Sequence, residues 1–227
     1  MPFRAEDGTY IRPRKGAIIM TKKLVKTSFL LFILLLVMGT PSVTAAARLK
    51  AVRVGEGFDG TLSEKVWVEN TTAYEFSLHN GLKIRLLAGF DQQQLYLGFL
   101  VKDPFLTFQD DFSLDFQGSD HLRLTFWPEG SNPVTLYLLP SSKIKEPLVN
   151  ISGASWRQTS VMVRSVPVQH GYFLTAAIDL NNLGLSSRYG EIPVQVGVNE
   201  ISSKGEAKTY WLFGTGPQDF ATLVLSP

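Results

Sequence analysis

His121, Arg123 and Trp127 stand at odd positions of one short run, His121-Leu122-Arg123-Leu124-Thr125-Phe126-Trp127. A strand sends alternate side chains to opposite faces, so these three share a face with Thr125 while Leu122, Leu124 and Phe126 take the other. That set suits sugars. A sugar offers apolar C–H faces edged by hydroxyls, and its site needs an aromatic plane flanked by amide, carboxylate or guanidinium groups. The competing reading is that the same residues only cover the solvent face of a sheet.

A second group is acidic. Asp103, Asp110, Asp111, Asp115 and Asp120 crowd one stretch and could supply the several oxygens that calcium requires. Against this, no Asp-x-Asp-x-Asp-Gly loop is present, and a solvated acidic loop accounts for the same residues. His79, His121 and His170 fall on separate segments without metal-ligand spacing, and there is no Gly-x-Ser-x-Gly elbow, Walker loop or dinucleotide fingerprint. The chain therefore reads as a non-enzyme. Trp67, seven residues after the Asp59-Gly60 turn, reads as core. Trp156 reads equally as a loop-tip contact or as a cap on one end of the fold.

The elements that must hold these groups are strands. Period-two alternation runs through 121–126, 172–178 and 194–198, and further strands are predicted over 83–90, 95–102, 134–139, 160–166, 207–213 and 221–225. Turn signals such as Pro128–Pro133, Gln169–Gly171 and Gly214–Pro217 separate them. Short strands at this spacing predict an all-β, two-layer antiparallel sandwich, with helical turns only near 63–68 and 181–183.

Residues 1–45 read as an export signal. Lys22, Lys23 and Lys26 precede an unbroken apolar run from Phe29 to Met38, and Val43-Thr44-Ala45 offers a small-x-small cleavage site. Met20 reads as the true start. The apolar run falls short of the roughly 20 residues a transmembrane helix needs, so no stable membrane span is expected after cleavage. Setting aside the seven Lys/Arg and two Asp/Glu of this segment leaves 15 Lys/Arg against 18 Asp/Glu, which gives a nucleic-acid partner no electrostatic support. Residues 46–227 make one domain of ordinary size. The absence of cysteine excludes disulfides, thiolate metal sites and a lipoprotein anchor. A periplasmic or secreted bacterial protein is the expected setting.

Six pieces in order carry a resemblance. They are the Phe58-Asp59-Gly60 turn with Trp67; Leu95-Tyr96 leading to Val101 and Asp103; Ser119-Asp120; Gly171-Tyr172 with Ile178; Val194, Val196, Val198 and Asn199; and Phe220 to Leu225. In this the chain resembles a family 9 carbohydrate-binding module and the wider sandwich group that includes the DOMON domains. The resemblance implies a jelly-roll-like sandwich, a glycan or oligosaccharide ligand, a clamp built from Trp211 and Phe116, a contact at Asn199, and mild support for calcium at Asp103, Asp110, Asp111 and Asp120. The chain also departs from the pattern: Arg123 stands where the strand motif carries Glu, Thr175 where the Gly-Tyr motif carries Glu, and Asp179 where it carries Pro.

Two other functions fit the same sandwich. One is a b-type haem domain resembling the haem subunits of ethylbenzene-dehydrogenase-type enzymes. Its axial ligands would be Met162, the single methionine after residue 45, and one of Lys143, Lys145, Lys204 or Lys208. The other is a structural or assembly subunit that presents its exposed aromatics to an envelope protein partner.

Overall fold

The computed structural model describes residues 47–60, 62–108, 118–141, 148–153, 161–185 and 190–226. Twelve strands and one helix of seven residues build the domain: β1 (Arg48–Arg53), α1 (Glu64–Asn70), β2 (Thr72–Ser77), β3 (Lys83–Phe90), β4 (Gln94–Lys102), β5 (His121–Phe126), β6 (Val134–Leu139), β7 (Leu148–Ser152), β8 (Val161–Val168), β9 (Gly171–Asp179), β10 (Glu191–Ile201), β11 (Ala207–Trp211) and β12 (Ala221–Ser226). Hydrogen bonding runs in the order β7-β6-β5-β10-β12-β1-β3-β4-β9-β8, with β11 added to β10 and β2 to β3.

The ladder doubles back at β12 and β1, and the two halves close on each other. Leu122, Leu124, Phe126, Leu136, Val194, Val196 and Val198 from one half share a core with Ile84, Leu86, Leu97, Phe99, Val101, Leu174 and Ala176 from the other. These are the inward positions of alternating strands, and their burial drives the closure. The front layer is β7-β6-β5-β10 with β11 and β12; the back layer is β8-β9-β4-β3 with β2 and β1. Pairing is antiparallel throughout except along β1, which runs parallel to both β12 and β3.

A smaller apolar cluster lies outside the back layer. Val54, Trp67, Leu87, Tyr96, Leu100, Phe173 and Ala177 pack together, with Phe58 and Leu62 against them. The Asp59-Gly60 turn and α1 thus cover the outward face of β3, β4 and β9. Trp67 is fully buried, its indole laid over Gly98, where a Cβ would come within 2.8 Å of the ring. Phe58 and Phe173 meet that indole edge-on at 5.0 and 6.0 Å. Thr71 ends α1 by donating both its main-chain N–H and its hydroxyl to the Trp67 carbonyl. Arg85 ties the helix to the sheet through Glu64 at 2.8 Å and Glu75 at 2.7 Å.

Among the described residues, no helix is long and apolar enough to cross a membrane. The expected export segment, residues 1–45, lies outside them.

Candidate functional site

Among the described residues no helix like α1 covers the outward face of the front layer, and strand register decides what meets there. Arg123 on β5 pairs with Tyr137 on β6 and with Gly197 on β10, while Gly197 pairs in turn with Trp211 on β11. One transverse row therefore reads Tyr137, Arg123, Gly197, Trp211. Gly197 is the floor of this row: a Cβ there would come within 2.7 Å of the Trp211 ring, so the missing side chain lets the indole lie close on the strand. The Arg123 guanidinium carbon sits 5.4 Å from the Trp211 ring centre and 5.8 Å from that of Tyr137. All three side chains are partly exposed. Within this row the Arg123 Nε is buried and has no hydrogen-bond partner. No described carboxylate forms an ion pair with Arg123.

The next row supports the first. His121 and Asn199 are directly paired and both are buried. The Asn199 amide donates to the Ser119 carbonyl at 3.1 Å and its oxygen accepts from the Thr209 hydroxyl at 3.2 Å. His121 Nδ1 lies 3.0 Å from the same Ser119 carbonyl, and its ring packs 5.9 Å from that of Tyr137. These two candidates share the parity of the row but are buried there, holding the 118–120 turn and the Tyr137 ring.

Trp127 follows β5 by one residue and is 48% exposed. Its ring contacts Phe220 at 5.8 Å, and its main-chain N–H donates to the Pro193 carbonyl. It lies four residues along the strand from Arg123, about 13 Å at the usual rise. Trp127 and Trp211 are therefore separate aromatic patches. Phe116 and Trp156 lie outside the described residues. Tyr137 was not singled out from the sequence; the β5–β6 register, which the long Pro128–Pro133 connection leaves open, places it beside Arg123.

The acidic group divides. Asp103 and Asp120 are buried near Glu200 at one end of the core; Asp110, Asp111 and Asp115 fall outside the described residues. Asp120 accepts main-chain N–H groups from Thr107 and Ile201, at 2.7 and 2.8 Å, and Asp103 accepts that of Phe105 at 2.7 Å. Burial is the main cause that pushes the Asp120 carboxyl up to about 6, and it raises Asp103 as well. The Tyr172 hydroxyl beside them is buried without a hydrogen-bond partner. Among the described residues no group of three or more His, Asp or Glu is arranged to hold a metal ion.

Met162, half exposed on β8, borders a small hollow with Asp59, Gly60, Trp67, Arg164 and Thr175 that includes no lysine. Lys204 and Lys208 belong to the β10–β11 hairpin of the other layer, and Lys143 and Lys145 lie outside the described residues. A wider depression beside α1, lined by Glu64, Glu75, Phe76, Lys83, Arg85 and Lys102, has mostly charged walls around the partly buried Phe76 ring. Thr175, standing where the resemblance leads one to expect Glu, is buried and donates to the Gly60 carbonyl at 3.3 Å, so it pins the Asp-Gly turn.

No family model matches the sequence. No curated protein matches it either. Solved structures do. A family 9 carbohydrate-binding module from Caldicellulosiruptor kristjanssonii, in complex with cellotriose, superposes with a TM-score of 0.59 at 14% identity, covering 79% of this chain and 93% of that one. The same organism's family 9 module in complex with glucose gives 0.58 at 15% identity, over 79% and 95% of the two chains. A protein from Bacteroides uniformis gives 0.58 at 11% identity, over 80% and 100%. With its doubled-back ladder and single core, the chain has the fold of the family 9 carbohydrate-binding modules.

Proposed function

We propose that the chain is an exported, non-catalytic glycan-binding domain acting outside the cytoplasm, in the periplasm or beyond, and that the Tyr137–Arg123–Trp211 row is its contact surface. One observation carries this: a partly exposed indole close over Gly197, with a guanidinium and a second ring beside it on the outward face of the front layer. An indole face matches the C–H face of a pyranose, and the guanidinium supplies donors for its hydroxyls. The fold shared with modules solved in complex with cellotriose and glucose supports an oligosaccharide as the ligand class.

Calorimetry of the full-length chain against glucose and cellotriose, with a glycan array for breadth, tests the proposal. Binding is expected to fall at least about ten-fold on Trp211→Ala, the loss of a stacked ring being worth one decade or more. Trp127→Ala is expected to change it less. No binding to any glycan overturns the proposal and leaves an envelope assembly role, in which the same rings would face a protein.

Calcium is a separate proposal. Its support is the burial of Asp103 and Asp120 close together at one end of the core; they do not form a metal site with the other described residues and would need Asp110 and Asp111 to complete one. A melting temperature that rises with added calcium and falls with chelator would support it; identical melts would end it.

A further inference from the structure

A neutral sugar's hydroxyls would use the Arg123 donors but leave its charge unmatched. A guanidinium carries five N–H donors in a planar fork, and burying one without a partner costs stability. Here Nε is buried and unpaired, and no described carboxylate forms an ion pair with the group. Two aromatic rings flank it, their centres 5.4 and 5.8 Å from the guanidinium carbon, within the range of cation–π contact that restrains its position. Register keeps it central, because Arg123 pairs with Tyr137 on one side and with the side-chain-free Gly197 on the other. The carboxylates of Asp103, Asp120 and Glu200 do not answer it. Glu200 shares the parity of the core-facing valines of β10, and these acids are buried at the inner end of the sandwich, across the sheet from the Arg123 face.

We infer that the site takes an acidic sugar, one bearing a carboxylate such as a uronic acid, with Trp211 under the ring and Arg123 on the carboxylate. This rests on the glycan-binding proposal and narrows it. A planar carboxylate is the natural counterpart of a guanidinium fork, since two parallel charge-assisted hydrogen bonds form at once. Holding the fork in place before binding reduces the ordering cost that such a contact otherwise carries.

The test is calorimetry of the full-length chain against glucose and cellotriose on one side, and glucuronate and trigalacturonate on the other, at low and at raised salt. The acidic ligands are expected to bind at least about ten-fold more tightly than their neutral counterparts, the margin of one charge-assisted hydrogen-bonding pair. Raised salt is expected to erode that margin. In Arg123→Gln, checked for folding by circular dichroism, the acid-to-neutral affinity ratio is expected to collapse to within about two-fold. Arg123→Lys, which keeps the charge and loses the fork, is expected to fall between the two and serves if the glutamine variant does not fold. Neutral sugars binding as well as acidic ones, or a preference that survives loss of the fork, overturns the acidic assignment and leaves the glycan proposal standing. Binding to neither class overturns both.

Discussion

Gly98 and Gly197 do the same work on opposite faces of the molecule, each clearing space for an indole. A Cβ at Gly98 would meet the Trp67 ring at 2.8 Å, and one at Gly197 the Trp211 ring at 2.7 Å. The consequences differ because the two indoles differ in freedom. Trp67 is pinned by Phe58 and Phe173 and is wholly buried, so Gly98→Ala is expected to destabilise the domain by about 1–3 kcal/mol, the usual range for overpacking, as read by urea denaturation. Trp211 can tilt outward. Gly197→Ala is expected to cost under about 1 kcal/mol in the same measurement, the range of a tolerated shape change, and to weaken glycan binding measurably. Equal stability losses for the two variants would contradict the distinction.

Asp120 belongs to the same scale. Its carboxyl, 1% exposed, titrates near 6 in the fold against an ordinary value near 4, with burial as the main cause. The folded state therefore holds the proton more tightly than the unfolded state does, and unfolding releases it between those two values. Stability is then full below about pH 4 and declines as pH rises to about 6, by at most about 3 kcal/mol for a two-unit shift. Asp103 is displaced in the same direction and adds to the slope. Melts in chelator across this range are expected to show the decline, and Asp120→Asn to flatten it. A melting temperature that climbs from pH 4 to 6 in the parent protein would contradict the assignment.

Among the elements, α1 is short but decisive. A helix of seven residues is too short to stand alone, and this one is held by Trp67 below and by Arg85 at its first turn. Trp67→Ala is expected to cost about 3–5 kcal/mol in chemical denaturation, the range for removing a buried large aromatic. Its loss would uncover Leu87, Tyr96, Leu100 and Phe173 on the back layer. Such a patch invites self-association, which light scattering would register. β3, β5, β6, β9 and β10 were legible from their apolar runs between turn signals, although most positions of both parities are buried in them, so burial itself does not alternate. β2 was not, since both of its faces remain partly open and its pattern mixes polar with aromatic residues. β1 was hidden by its place directly after the apparent cleavage site. The site was half legible: Arg123 and Trp211 could be named singly, whereas their meeting depends on two strand registers, β5 with β10 and β10 with β11, and on the empty floor of Gly197, and Tyr137 enters only through the pairing of β5 with β6.

At the level of the whole molecule, the sandwich class followed from alternation and turn spacing, while the joining of the two layers did not. That joint is the parallel pairing of β1 with β12, five partnered positions from Arg48 with Thr222 to Val52 with Ser226. No local signal announces a contact between residues so far apart in the chain. Because the two strands point the same way, the domain begins at one tip of the joint and finishes at the other. Tension applied through those two ends would slide the strands past each other, loading all their cross-links at once instead of peeling them singly. In single-molecule stretching it is expected to yield at higher force when pulled from 47 and 226 than when β12 is peeled from β10 through a linkage at Glu191.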